Sequence, residues 1–86
     1  MVIEFKKKAI KALEQMDKAT KQRIRKAIEG LTLTPPKGDI KLMQGYDDGR
    51  YRLRVGQYRI IYRYDKGGAV EILLILDIGA RGDIYK

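Results

Sequence analysis

Neither cysteine nor histidine occurs among the 86 residues. The first absence excludes a disulfide framework and thiolate chemistry. Together they remove the usual zinc ligands, and no cluster of carboxylates replaces them, so neither a metal nor any other cofactor is expected. Long apolar runs are also missing. The longest, Ile72 to Leu76, stops at Asp77 and is far too short to span a bilayer. The opening Met-Val-Ile-Glu-Phe-Lys-Lys-Lys lacks the apolar centre of a signal peptide. These absences predict a soluble chain, placed in a reducing cytoplasm and not in a membrane. Acidic residues are the minority: 19 basic side chains face 11 acidic ones, a net charge of +8. Such a balance favours phosphate-rich or acidic partners.

What is present is one domain's worth of chain, residues 1–86, with 44% hydrophobic residues, enough for a modest core. The basic residues are unevenly spread. Lysines are scattered, mostly through the first half, whereas arginines concentrate between Arg50 and Arg63. Up to Val55 that stretch alternates arginine with an apolar residue, the period of a strand with one buried face. Gly56-Gln57 fits a two-residue hairpin turn in which glycine supplies the positive φ of a type II′ first position. Flanking it with Val55 and Tyr58 sets Leu53 opposite Ile60 and Tyr51 opposite Tyr62, which makes one apolar face. Arg50, Arg52, Arg54, Arg59 and Arg63 then share the other face with Ile61. Arg54 against Arg59 and Arg50 against Arg63 are like-charge pairs that cost stability. A face that repels itself suggests a missing polyanion; the blander alternative is a merely solvated strand face.

Before the hairpin, Val2 to Phe5 reads as a short strand. Phe5, Ala9, Ala12, Leu13 and Met16 then form a helical stripe. Asp17 is placed to cap a second helix with the stripe Ile24, Ala27, Ile28 and Leu31. That helix ends at Gly30 or, at the latest, before Thr34-Pro35-Pro36. Ile40 to Met43 is a candidate strand and Gly45 to Gly49 a loop, in which Asp47-Asp48 reads as a turn and not as a ligand pair. A further turn is expected at Asp65-Lys66-Gly67-Gly68, followed by a central strand from Ala69 to Ile78. The result is an α+β domain: a small antiparallel β-sheet with two N-terminal helices packed on one face, against Tyr51, Leu53 and Ile60, leaving the arginine face open.

In this order and spacing, the two helices, Lys41-Leu42 with Gly45, Tyr51-Arg52-Leu53-Arg54-Val55-Gly56, Tyr58-Arg59-Ile60-Ile61-Tyr62 and the ending Gly79-Ala80-Arg81-Gly82-Asp83-Ile84-Tyr85 carry a resemblance. The chain resembles, over essentially its whole length, the RelE/ParE superfamily of toxins from type II toxin–antitoxin pairs, and more closely its RelE-like branch. The resemblance implies a concave basic face. In the RelE branch that face enters the ribosome and cuts messenger RNA; in the ParE branch the same fold inhibits DNA gyrase. It also implies an acidic antitoxin as partner. Arg52 and Arg54 fall where relatives hold the RNA backbone, with Lys41, Arg50 and Arg63 as further RNA-binding candidates, the last two as rim charges. Arg59 falls at the arginine on the scissile phosphate, and Arg81 and Tyr85 at the C-terminal arginine and tyrosine of the acid–base chemistry. The chain departs from the pattern at Ala80, where many relatives have histidine, and at Gly82, where they have a second arginine.

Cleavage by a neighbouring 2′-hydroxyl needs a proton acceptor, stabilisation of charge on phosphorus, and help for the leaving oxygen. Arginine meets the second need, because its planar fork matches two phosphate oxygens and keeps its charge. With histidine absent, Tyr85 is the remaining base candidate, and nearby arginines would favour tyrosinate. The plainer readings are a Tyr85 packed on the sheet and an Arg81 paired with Asp83 or Asp77. Three functions follow: a ribosome-dependent, metal-independent endoribonuclease, a gyrase inhibitor without nuclease chemistry, or an inactive RNA-binding relative.

Overall fold

A computed structural model describes residues 1–80 of the chain. The elements run β1 (Val2–Phe5), α1 (Lys7–Glu14), α2 (Lys18–Gly30), β2 (Asp39–Leu42), β3 (Tyr51–Val55), β4 (Tyr58–Gly67) and β5 (Val70–Ala80). The strands form one sheet in the order β1-β5-β4-β3-β2. Every pairing is antiparallel except β1 with β5, so the sheet is mixed, with its one parallel pair at an edge. Among the described residues no helix is long and apolar enough to cross a membrane.

Local chemistry explains these boundaries. Asp17 caps α2 by accepting the Thr20 amide at 2.8 Å, and hydrogen bonding from the Thr20 side chain, then from its amide, holds the carboxyl below the usual carboxylate range. The helix stops at Gly30, but not through a left-handed glycine, since Gly30 has no positive φ. Instead the Gly30 carbonyl accepts the Lys37 amide at 3.0 Å, turning the chain toward β2. The first hairpin has the expected register, Val55 with Tyr58, Leu53 with Ile60 and Tyr51 with Tyr62. Gly56 has φ of 60° and Gln57 has no positive φ, as a type II′ turn requires. A Cβ at Gly56 would lie 2.9 Å from the mobile end of the Arg23 side chain of α2, which can move aside, so it is the positive φ that demands glycine there. The second turn lies later and is tighter than expected. Asp65, Lys66 and Gly67 continue β4 in register with Ile72, Glu71 and Val70, and only Gly68-Ala69 turn, with φ of 71° at Gly68.

The core lies between the helices and one sheet face. Ile24, Ile28 and Leu31 meet Leu53, Ile60, Tyr62, Leu73, Ile75 and Ile78, all buried. Truncating one such side chain, Ile28→Ala for instance, costs about 2–5 kcal/mol. Tyr51, Tyr62 and Tyr64 belong to this layer as well. Tyr51 and Tyr62 stack at 5.6 Å, Tyr64 meets Tyr62 edge-on, and the Tyr64 hydroxyl donates to the Leu31 carbonyl at 2.8 Å.

The far face of the sheet is only partly open. Pairing shifts between Ile61, which faces Asp77, and Tyr62, which faces Ile75, so Leu76 is an extra residue in β5. This bulge breaks the alternation and lets Leu76 and Asp77 both line a hollow on the far face. The loop from Met43 to Arg50 closes on itself through the Met43 amide and the Arg50 carbonyl (3.0 Å). Ile61, expected on an open arginine face, is buried in the structure.

Candidate nucleic-acid interface

Away from the helices, strand register sets side chains in rows across the sheet. One row runs Asp39, Arg54, Arg59 and Gly79; the next runs Lys41, Arg52, Ile61 and Asp77. Lys41, Arg52, Arg54 and Arg59, with Met43 and Gln44 from the start of the loop, line an open hollow of about 670 Å³. Four of the sequence-predicted site residues therefore converge on one surface.

Two of the four have an internal counter-ion. Asp39 places Oδ2 3.0 Å from Arg54 Nε and Oδ1 3.5 Å from Arg52 Nη2. The Asp39 side chain is 51% exposed, and pairs of this kind stabilise by only about 0–1 kcal/mol. A phosphate can displace such a carboxylate. Arg59 makes no ion pair among the described residues, and its register partner Gly79 brings no side chain beside it. The expected Arg54–Arg59 juxtaposition is present, but Asp39 offsets half of it.

Arg50 and Arg63 behave differently. Asp48 accepts Arg50 Nε at 2.9 Å and Arg50 Nη2 at 2.7 Å, and also takes Arg63 Nη1 at 2.7 Å. Arg63 reaches Asp65 as well, at 3.3 Å, and the Arg50 guanidinium lies 4.3 Å above the Tyr46 ring. The expected repulsion between Arg50 and Arg63 is thus replaced by a shared carboxylate, and neither side chain lines the larger hollow. Hydrogen bonds from Arg50, and after it from Arg63, hold the Asp48 carboxyl far below the usual carboxylate range, and both guanidinium groups are pushed up in return. Sequence reasoning missed Asp39 and Asp48. Only Asp48 carried a local signal, standing two residues before Arg50, whereas Asp39 reaches Arg52 and Arg54 across the β2–β3 pairing and Asp48 reaches Arg63 only through the loop's path. Met43 and Gln44 carried no such signal, because only the loop's path brings them to the hollow.

Burial raises the Tyr62 hydroxyl, with Tyr64 and Tyr51 adding to it, and burial likewise raises Tyr64. Neither phenol suits a proton acceptor. Arg81 and Tyr85, the C-terminal pair of candidate catalytic residues, lie outside the described residues.

A family model described as the ParE toxin of the type II toxin–antitoxin system, parDE, matches residues 3–85. Among curated proteins no sequence match is found. Among solved structures, a YoeB/ParE toxin from Agrobacterium tumefaciens superposes with a TM-score of 0.79 at 18% identity, covering 94% of this chain and 99% of that one. A chain of the RelB–RelE antitoxin–toxin complex from Methanococcus jannaschii is 30% identical with a TM-score of 0.68, covering 94% of this chain and 93% of that one. A chain of the RelBE2 toxin–antitoxin complex from Mycobacterium tuberculosis shares the fold at 21% identity and a TM-score of 0.72, covering 93% and 96%. With the family pattern spanning nearly every residue, and a 30% identical relative in a RelB–RelE complex, the chain belongs to the ParE toxin family of type II toxin–antitoxin systems, within the RelE/ParE superfamily.

Proposed function

We propose that this toxin acts as a ribosome-dependent, metal-independent endoribonuclease that inhibits translation by cutting messenger RNA. The observation that carries the reading is the groove of Lys41, Arg52, Arg54 and Arg59, in which Arg59 stands without a carboxylate partner among the described residues. Four cations on one concave surface suit successive phosphates of a single strand. Arg59 holds the scissile phosphate. The 2′-oxygen of the preceding ribose attacks phosphorus and the 5′-oxygen of the next nucleotide leaves, giving a 2′,3′-cyclic phosphate and a free 5′-hydroxyl. The 2′-hydroxyl proton passes to a base, and the leaving oxygen takes up a proton. Tyr85 is assigned as the base on the family resemblance, and Arg81 offsets the charge that builds on phosphorus. With no histidine in the chain, alignment of the 2′-oxygen by the ribosome carries much of the rate. The partner in the resting cell is an acidic antitoxin that neutralises part of the +8 charge.

The ParE family match favours a second reading, inhibition of DNA gyrase without nuclease chemistry. A translating extract separates the two. New messenger 5′ ends mapped by primer extension, and lost with Arg81→Ala, support the nuclease. Intact messenger together with blocked DNA supercoiling refutes it in favour of gyrase. Persistence of cleavage in a chelator that leaves ribosomes intact supports metal-free chemistry, and restoration by a trace transition metal after loss contradicts it.

A further inference from the structure

Of the five tyrosines in the described residues, Tyr51, Tyr58, Tyr62 and Tyr64 are wholly or partly buried, and only Tyr46 is exposed. One face of its ring is nonetheless engaged. The Arg50 guanidinium covers it at 4.3 Å, and Arg50 is itself held by Asp48, which also grips Arg63. A solvent-facing loop thereby presents one aromatic ring backed by an ion-paired arginine.

The ring borders a second hollow, of about 230 Å³, lined also by Ile61 and Leu76 and by Lys8 and Asp77. Drug-sized pockets begin near ~300 Å³, so this one suits a single ring system. The β5 bulge creates its apolar lining by presenting Leu76 beside Ile61. Met43 lines this hollow and the arginine groove alike, so the two adjoin.

We propose that the second hollow is a nucleobase subsite, in which one base of the bound strand leaves the phosphate groove and stacks on Tyr46. The assignment rests on the reading of the arginine groove as a phosphate track. Phosphates lie along Arg52, Arg54 and Arg59, and the base turns past Met43 onto the aromatic ring. Lys8 and Asp77 offer a donor and an acceptor to the edge of the base, their own contact being a loose 3.6 Å pair. The clamp around Asp48 then has a role beyond closing the loop: it orients the platform before the strand arrives, which lowers the ordering cost of binding.

The test uses the intact protein, a short 2′-O-methyl RNA that cannot be cut, and the same ribose–phosphate oligomer without bases. Wild type should bind the base-bearing oligomer roughly 5–150-fold more tightly than the abasic one. Tyr46→Ala should abolish that margin while leaving abasic binding unchanged, and Tyr46→Phe should retain it. If Tyr46→Ala weakens both oligomers equally, or if the phenylalanine variant fails along with alanine, the subsite is refuted. Arg59→Ala on the abasic oligomer reports on the groove separately. Weakened abasic binding supports the phosphate track beneath the proposal, and unchanged abasic binding overturns the track and the subsite with it.

Discussion

Two groups of arginines arise from the same hairpin and end in opposite chemical states. Arg50 and Arg63 are tied to one carboxylate at 2.7 Å each, and Arg50 is also stacked on an aromatic ring. Arg52 and Arg54 share a half-exposed Asp39 at longer distances, and Arg59 has no ion pair among the described residues. Charge on a strand is thus a poor guide to binding until its counter-ions are located. A guanidinium with its hydrogen bonds satisfied by a bidentate partner is a structural element, while one facing an exposed, replaceable carboxylate remains a ligand site.

The contrast can be broken most severely at Arg59. Arg59→Ala is expected to lower messenger cleavage by about 10²–10³-fold, the usual effect of removing a preorganised charge-stabilising group, with thermal stability unchanged. Cleavage that survives would show that the scissile phosphate sits elsewhere. At the other pole, Asp48→Asn should lower the melting temperature while leaving the arginine groove's affinity for an abasic oligomer intact. Because the folded Asp48 carboxyl titrates below its unfolded value of about 3.9, its stabilisation is complete above that pH and is lost as pH falls toward the folded value. Wild type should therefore lose stability in acid more steeply than Asp48→Asn, as thermal melts across that range would reveal; parallel curves would mean the clamp contributes little.

Asp39→Asn should have a smaller effect of the opposite sign. Removing the internal counter-ion raises affinity for single-stranded RNA and steepens the salt dependence by about 0.7 in log K against log salt. Glu14→Gln, on an exposed position of the helical layer, changes net charge equally and should not reproduce that steepening. A matching response would reduce Asp39 to one charge among many.

Much of this arrangement was legible in the residues. A two-residue turn at Gly56-Gln57 together with strict alternation leaves only one register that buries Leu53 and Ile60, and Asp17 before an apolar stripe is a complete helix-start signal. The second turn misled because Asp65, Lys66 and Gly67 look like loop residues, although a type II′ turn needs only Gly68 and Ala69. Asp77 reads as the stop of an apolar run within a strand, and only the bulge reveals that it shares the second hollow with Leu76. The carboxylates that divide the arginines depend on loop path and cross-strand pairing, which local pattern does not encode. The catalytic assignments of Arg81 and Tyr85 lie outside the described residues and rest on resemblance.

The most direct test of the division is a salt titration of single-stranded RNA binding by Arg59→Ala and Arg50→Ala side by side. The account predicts that the slope of log K against log salt falls by about 0.7 for Arg59→Ala and stays at the wild-type value for Arg50→Ala. Equal losses in the two variants would contradict it, because a clamped arginine would then be gripping phosphate as well as an open one does.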